Sequence, residues 1–505
     1  MTGNSKTARP KRHCWECRRR CLVCDFTEPS CRRCTVAGVD CPGYGDVKPT
    51  RLRWVAPGKV ISRGRRGNAK RSIEDSCKQQ RRSTHPTSSA WTGAYTPRFK
   101  LNTDICALPQ AVEYFNSCIL PDLIPLLELG PNPHVYPLTA THIRVAATSP
   151  EYLQFGMVCM ILSHRLNRTR ADGRPSRALA ERFYHYWGLA VRSLNEHLDV
   201  ADARTGDLTI AGILTLLLAD VQNGTSLDWR CHMEGVHKII SLRGGLHAVA
   251  GSRTLEPLLL VLWSVAVIGN TTCPALDLAT TAAQLDALDL IMERFTIAVS
   301  PFHMFPLPLY GEMIRVNHLR SRALVQSAGA LTQEASEILE RIQRFSIEDW
   351  ALSRAPNTPS SKEDWMLLGS IHQSALVIYC ILSLQSLSVF PETPALRETC
   401  AAHGQLLHLL LTRALSSPKM RRFTIWPLVL LGVEGVQGSP EVRRFVARQL
   451  PELSRDLGTH VPLTAKRVLE RFWESGKTSW DACFDKPYAF TSQLAVDTSR
   501  LLPYD

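Results

Sequence analysis

Six cysteines fall in the pattern C-x2-C-x6-C-x6-C-x2-C-x6-C, at Cys14, Cys17, Cys24, Cys31, Cys34 and Cys41, and the two halves of that pattern repeat one another. Cys21 lies outside it. At this chain's own frequency of 16 cysteines in 505 residues, five further cysteines would meet those offsets by chance at roughly three in a hundred million starts. The spacing therefore commits residues 14 to 41 to some form of cross-linking through sulfur, and the question is which.

The remaining cysteines read differently. Nine are scattered singly after residue 41 and fit small buried hydrophobes. The opening MTGNSKTARPKR carries no apolar stretch behind its charges, so no secretory signal is visible. The longest uninterrupted apolar run, LLLVLWSVAVI at Leu258 to Ile268, is shorter than the roughly 18 residues of a membrane span. The expectation is a soluble intracellular protein that engages no membrane. A reducing compartment disfavours the disulfide-knotted mini-domain that the cysteines would otherwise permit. A metal–thiolate centre suits the composition better. C-x2-C lets one turn of chain present two thiolates to one ion, zinc takes four such ligands tetrahedrally, and nearby arginines lower thiol pKa values. Six cysteines are too few for two separate four-ligand sites, but two zinc ions can both be tetrahedral if two thiolates are shared.

Charge supports a division of labour. Residues 1 to 82 carry 21 Lys plus Arg against 7 Asp plus Glu, which leaves 38 against 39 for residues 83 to 505. The whole basic excess of a chain with net charge +13 thus lies in its first sixth. Such an asymmetry points to a polyanion-binding arm, for nucleic acid or a membrane surface, joined to a neutral globular body.

The segment CWECRRRCLVCDFTEPSCRRCTVAGVDCPGYG resembles the binuclear zinc-cluster, Zn(2)-Cys(6) type, DNA-binding domain of fungal transcription factors, in its cysteine spacing, in the basic run after the second cysteine and in Pro29. The resemblance implies two zinc ions bridged by Cys14 and Cys31, with Cys17 and Cys24 completing one shell and Cys34 and Cys41 the other. It implies a unit folded only with metal bound. It also implies that the short helix after Cys17 enters the major groove of double-stranded DNA at CGG-like sites, with Arg18, Arg19 and Arg20 making the DNA contacts. An isolated run of three arginines is ordinarily a solvated face; its place between zinc ligands shifts the reading to DNA. The chain departs from the family at Cys21 and Val23, where relatives commonly carry basic residues. Neither side chain offers a charged hydrogen bond to guanine, so altered base readout with salt-sensitive phosphate affinity is expected. A redox role for Cys21 is the lesser alternative to a tolerated exposed side chain.

Residues 45 to 100 are rich in Gly, Pro, Ser and basic residues without apolar periodicity and read as a flexible, disordered linker. Arg63-Gly64-Arg65-Arg66, Lys70-Arg71 and Arg81-Arg82 fit phosphate contact or nuclear import. Missing heptads argue against a coiled coil after the linker, leaving a monomer on DNA or a homodimer formed through the large domain. From residue 101 the pattern turns helical: Leu179, Phe183, Tyr186, Ala190, Val191, Leu194 and Leu198 fall on one stripe. TIAGILTLLLADVQ, ASEILERIQRF and QLLHLLLTRAL repeat the theme, and β-branched alternation is scarce. A mostly all-α protein follows, with a basic arm at 1–13, the cluster at 14–44, the linker at 45–100 and a helical regulatory domain at 101–505.

DWRCHMEGVHKIISLRGG, residues 228 to 245, is similar to a Trp, His, Gly and Arg-Gly-Gly pattern in the all-helical regulatory domain of one large group of these factors. Its own physics predicts a helix ended by Gly244 with Met233, Val236, Ile239, Ile240 and Leu242 turned partly inward. His232 and His237 stand five apart, off the i, i+4 spacing of a zinc pair, and read as structural. No Asp-Asp pair, P-loop, H-E-x-x-H or G-x-S-x-G occurs, and carboxylates such as Glu181 and Glu293 fit solvated helix faces, so no enzyme is expected. FWESGKTSWDACFDKPYAF, near the C-terminus, fits a last core helix and its tail better than an activation segment. Two functions survive. The first is a zinc-dependent nuclear factor regulating RNA polymerase II transcription of a specific gene set, such as a metabolic or secondary-metabolite cluster, with the body contacting transcriptional coregulators. The second is a protein-binding adaptor whose zinc cluster is structural.

Overall fold

The structure, a computed structural model, describes residues 14, 16–17, 24–39, 41–44, 106–130, 132, 135–171, 176–200, 203–224, 229–252, 255–297, 305–354 and 359–491. The chain divides into two compact units, residues 1–96 and 97–505. The described residues of the first include the short helix α1 (Arg32–Val36) and a helical pair at Glu16 and Cys17. The second is helical throughout, and no strand occurs among the described residues. Its principal helices are α2 (Ala107–Tyr114), α3 (Glu151–Ala171), α4 (Arg177–Leu198), α5 (Asp207–Asn223), α6 (Trp229–Leu242), α7 (Glu256–Thr271), α8 (Leu307–Arg322), α9 (Ala328–Arg344), α10 (Pro359–Gln385), α11 (Pro394–Leu415), α12 (Ile425–Glu434), α13 (Pro440–Leu457), α14 (Val461–Glu474) and the single turn α15 (Trp480–Cys483).

Helix α4 forms where the periodicity predicts it. Ser176 caps it by accepting from the Leu179 amide at 3.4 Å. Phe183, Tyr186, Ala190 and Leu194, at steps of three and four, are the residues it buries. Glu181 is exposed and pairs with Arg177 one turn back at 2.8 Å, and Glu293 is also exposed. Helices α3, α4 and α5 pack on one another. The α3–α5 approach is close: a Cβ on Gly156 would lie 2.8 Å from Thr215, and one on Gly212 would lie 2.5 Å from the Tyr152 ring. Glycine at both positions lets a side chain of the facing helix lie directly against the backbone.

Helix α10 was not visible as a long apolar element because Ser370, His372, Gln373 and Ser374 interrupt its hydrophobic run. Its stretch Ser361–Gln385 is nonetheless long and apolar enough to cross a membrane, with mean hydropathy 1.7. It is 83% buried among the other helices, packing on α8, α9, α11 and α12 as a core element. Its polar side chains are used internally: Gln373 donates from Nε2 to Ile342 O at 2.8 Å and Phe345 O at 3.1 Å, bolting α10 to the end of α9.

The last helices return to the first. Helix α13 packs on α3, and α14 on α5. Asn167 of α3 donates to Gln222 O at 2.9 Å and to Gly458 O at 3.3 Å, and the His460 amide donates to the same Gln222 carbonyl at 2.9 Å. The C-terminal segment closes the core. Trp480, Cys483, Phe484, Tyr488 and Phe490 are buried. Arg320 of α8, fully buried, donates to Asn270 O and Cys273 O, both at 2.9 Å, and to the Asp481 carboxylate at 2.8 Å.

In α6, Met233, Val236, Ile239 and Ile240 are buried as expected, and Gly244 and Gly245 take φ of 92° and 96° where the helix stops. Leu242 departs from the expectation and is 65% exposed. It lies six residues past Val236, about 240° around the helix from the buried stripe. His232 Nε2 lies 3.0 Å from the Asp220 carboxylate; burial holds His237 below the usual histidine range. Among the scattered cysteines, Cys159, Cys273, Cys380, Cys400 and Cys483 are buried, Cys106 and Cys118 half-buried and Cys231 exposed. Cys77 lies outside the described residues.

Candidate metal centre

The repeat in sequence is a repeat in geometry. The Cys17 amide donates to Cys14 Sγ at 3.4 Å, and, 17 positions later, the Cys34 amide donates to Cys31 Sγ at the same 3.4 Å. Each C-x2-C thus forms a tight turn whose first sulfur accepts from the amide of the second cysteine, and Cys31 is the N-cap of α1. The connecting loop is pinned to that helix by Asp25, whose carboxylate accepts from the Thr27 hydroxyl at 3.0 Å and the Arg32 amide at 3.1 Å. Tyr44 closes the far side, donating to Thr27 O at 3.0 Å with its oxygen 3.5 Å from Cys24 Sγ. Pro29 follows a cis peptide bond.

Five of the six sulfurs belong to buried residues, and Cys41 is half-buried. They form two overlapping quartets, Cys14–Cys17–Cys24–Cys31 and Cys14–Cys31–Cys34–Cys41, and within each the sulfurs lie within 4.8 Å of one another. Cys14 and Cys31 belong to both. The separations are informative: Cys14–Cys31 is 3.7 Å, Cys14–Cys34 is 3.8 Å and Cys17–Cys31 is 3.6 Å. A disulfide would need about 2.05 Å, and all six cysteines are free. The edge of a tetrahedron of sulfurs about 2.3 Å from a central ion is about 3.8 Å. The packing therefore removes the disulfide-knot alternative and leaves room for a cation inside each quartet.

Electrostatics ask for that cation. Burial pushes the thiols of Cys14 and Cys17 above their ordinary range and Cys34 up to about 12. Burial also opposes ionisation at Cys24, but the Cys14 backbone, the Tyr44 hydroxyl and the Phe26 backbone outweigh it and bring the thiol down to about 6. A cation held by these sulfurs would take them as thiolates and so oppose the effect of burial at Cys14, Cys17 and Cys34. Arg32 and Arg33, between the second pair of cysteines, are exposed.

Arg18, Arg19 and Arg20, with Cys21 and Val23, lie outside the described residues. Sequence reasoning missed Asp25 and Tyr44. The Asp25-x-Thr27 spacing is an Asx-turn signal that marks the first; no local signal marks the second, whose contacts lie 17 and 20 positions back.

The family described as the fungal specific transcription factor domain matches residues 111–490. The chain is 46% identical over 499 residues, 97% of its own length and 91% of the relative's, to the phomenoic acid biosynthesis cluster-specific transcriptional regulator of Leptosphaeria maculans. No solved structure matches it.

Proposed function

The chain belongs to the family of the fungal specific transcription factor domain, and on that premise we propose that it is a zinc-dependent, DNA-binding regulator of RNA polymerase II transcription, acting in the nucleus on a biosynthetic gene cluster. Family and relative alike are those of a transcriptional regulator and not of an enzyme. The observation that carries the finer reading is the pair of sulfur quartets sharing Cys14 and Cys31.

In this reading Cys17 and Cys24 complete one zinc shell and Cys34 and Cys41 the other, with Cys14 and Cys31 common to both. Bound zinc supplies the cross-links that a segment without an apolar core otherwise lacks. Six thiolates and two dications leave two negative charges at the centre, which the surrounding arginines offset. Residues 14–44 act as the DNA-binding domain, 1–13 and 45–100 as basic flanks, and 101–505 as the regulatory body through which coregulators or a second copy of the chain act. Arg18, Arg19 and Arg20 contact DNA, chiefly its phosphates, and Cys21 and Val23 remove two long donors from base readout.

Site selection from random duplexes with the zinc-loaded full-length protein tests this. A definite enriched motif, CGG-like or altered, that disappears with Cys31→Ser is the expected outcome. Zinc-loaded protein that enriches nothing and binds duplexes only in a salt-sensitive, sequence-independent way would replace the reading with that of an adaptor with a structural cluster.

A further inference from the structure

A cavity of about 550 Å³ opens on the helical body, walled by α14, the start of α6 and the stretch Asp485–Phe490. Its volume falls within the range of small-molecule sites. Val461 and Val468 of α14, with Trp229 and Pro487, supply an apolar floor. That floor is tied down by hydrogen bonds: Trp229 Nε1 donates to Pro487 O at 3.3 Å, the Thr272 hydroxyl donates to Tyr488 O at 2.6 Å, and the Tyr488 amide donates to Thr272 O at 3.0 Å.

The charges around it are unevenly spent. Arg471 is neutralised by Asp485, at 3.1 and 3.2 Å, and Glu470 by Lys466 at 3.5 Å. Two cations are not. Arg467 donates to His460 Nε2 at 3.1 Å and Thr464 Oγ1 at 3.3 Å, neither of them an acid. Lys486 lies over the Tyr488 ring, 5.4 Å from its centroid. Neither has a carboxylate partner among the described residues. The acid left over, Glu474, stands seven residues beyond Arg467, about 10 Å along α14. Of the charges on the lining that have no ion-pair partner among the described residues, two are therefore cationic and one acidic, beside the apolar Trp229, Val461, Val468 and Pro487.

We infer that this cavity binds an amphipathic carboxylate, with its oxyanion between Arg467 and Lys486 and an alkyl or aromatic body on the floor formed by Trp229, Val461, Val468 and Pro487. The head forms charge-assisted hydrogen bonds to the two side chains, and the body replaces water against apolar surface. The site lies wholly in the helical body and does not depend on the zinc or DNA readings.

The test uses the full-length protein and 1-anilinonaphthalene-8-sulfonate, an aromatic oxyanion that fluoresces on leaving water. One dye per chain should bind, decanoate should displace it, and decanol should do so at least tenfold more weakly. Arg467→Gln with Lys486→Gln should weaken decanoate at least tenfold with thermal unfolding unchanged, and Thr464→Trp should abolish binding by filling the cavity. Arg467 is exposed and Lys486 half-buried, and neither belongs to the apolar core, so the double substitution reports even if Thr464→Trp does not fold. Absence of dye binding, equal competition by decanol and decanoate, or unchanged affinity in the folded variants would each overturn the inference.

Discussion

Glu434, the last residue of α12, faces Gly404 of α11 so closely that a Cβ on the glycine would lie 2.6 Å from its carboxylate. Burial lifts its pKa from 4.5 to about 7. The folded state thus holds a proton there that the unfolded chain has released, and stability falls as pH rises from about 4.5 through 7. We predict that Glu434→Gln is more stable than the parent by about 2 kcal/mol at pH 8.5, allowing for partial exposure, and that the gain vanishes near pH 4.5. Denaturant titrations at both pH values check this; an equal difference at both would refute it. The cysteines and Glu434 show what is legible at this scale. Cys14 to Cys41 could be read because ligands to one ion must be spaced within one short stretch. The burial of Glu434 depends on a glycine 30 positions away on another helix, and nothing in its own neighbourhood announces it.

Among elements, α4 was legible because one face packs and the other meets water, so period and burial coincide. Helix α10 was not, since an element surrounded by others keeps polar residues such as Gln373 for internal bonds and loses its simple pattern. The C-terminal turn α15 illustrates the same limit over distance: Asp481 meets Arg320 across 161 positions. Removing one partner of a buried pair leaves the other charge uncompensated. Asp481→Ala should therefore cost about 3 kcal/mol of stability and loosen residues 480–490, read as a lowered denaturant midpoint and faster amide exchange at Trp480 and Tyr488. A midpoint within error of the parent would show that the ion pair does not hold α15. The burial of Trp480, Phe484 and Phe490 makes this segment part of the core.

Across the whole molecule, the division is one of chemistry as well as of packing. The first 82 residues carry all of the basic excess and the clustered cysteines, while the remainder is nearly neutral and folds by burying helices against one another. Among the described residues of the first unit the buried cluster consists of the cysteines with Phe26 and Tyr44 packed against them, whereas the second unit packs apolar helices around a large core. In the proposed function Cys14 and Cys31 each serve two metal ions. Counting zinc on the intact protein by native mass spectrometry, with thiol titration after chelation, tests it most directly. Two zinc ions per chain, with all six cysteines recovered as free thiols on chelation, is the predicted result; one ion per chain, or cysteines recovered as disulfides, would contradict it.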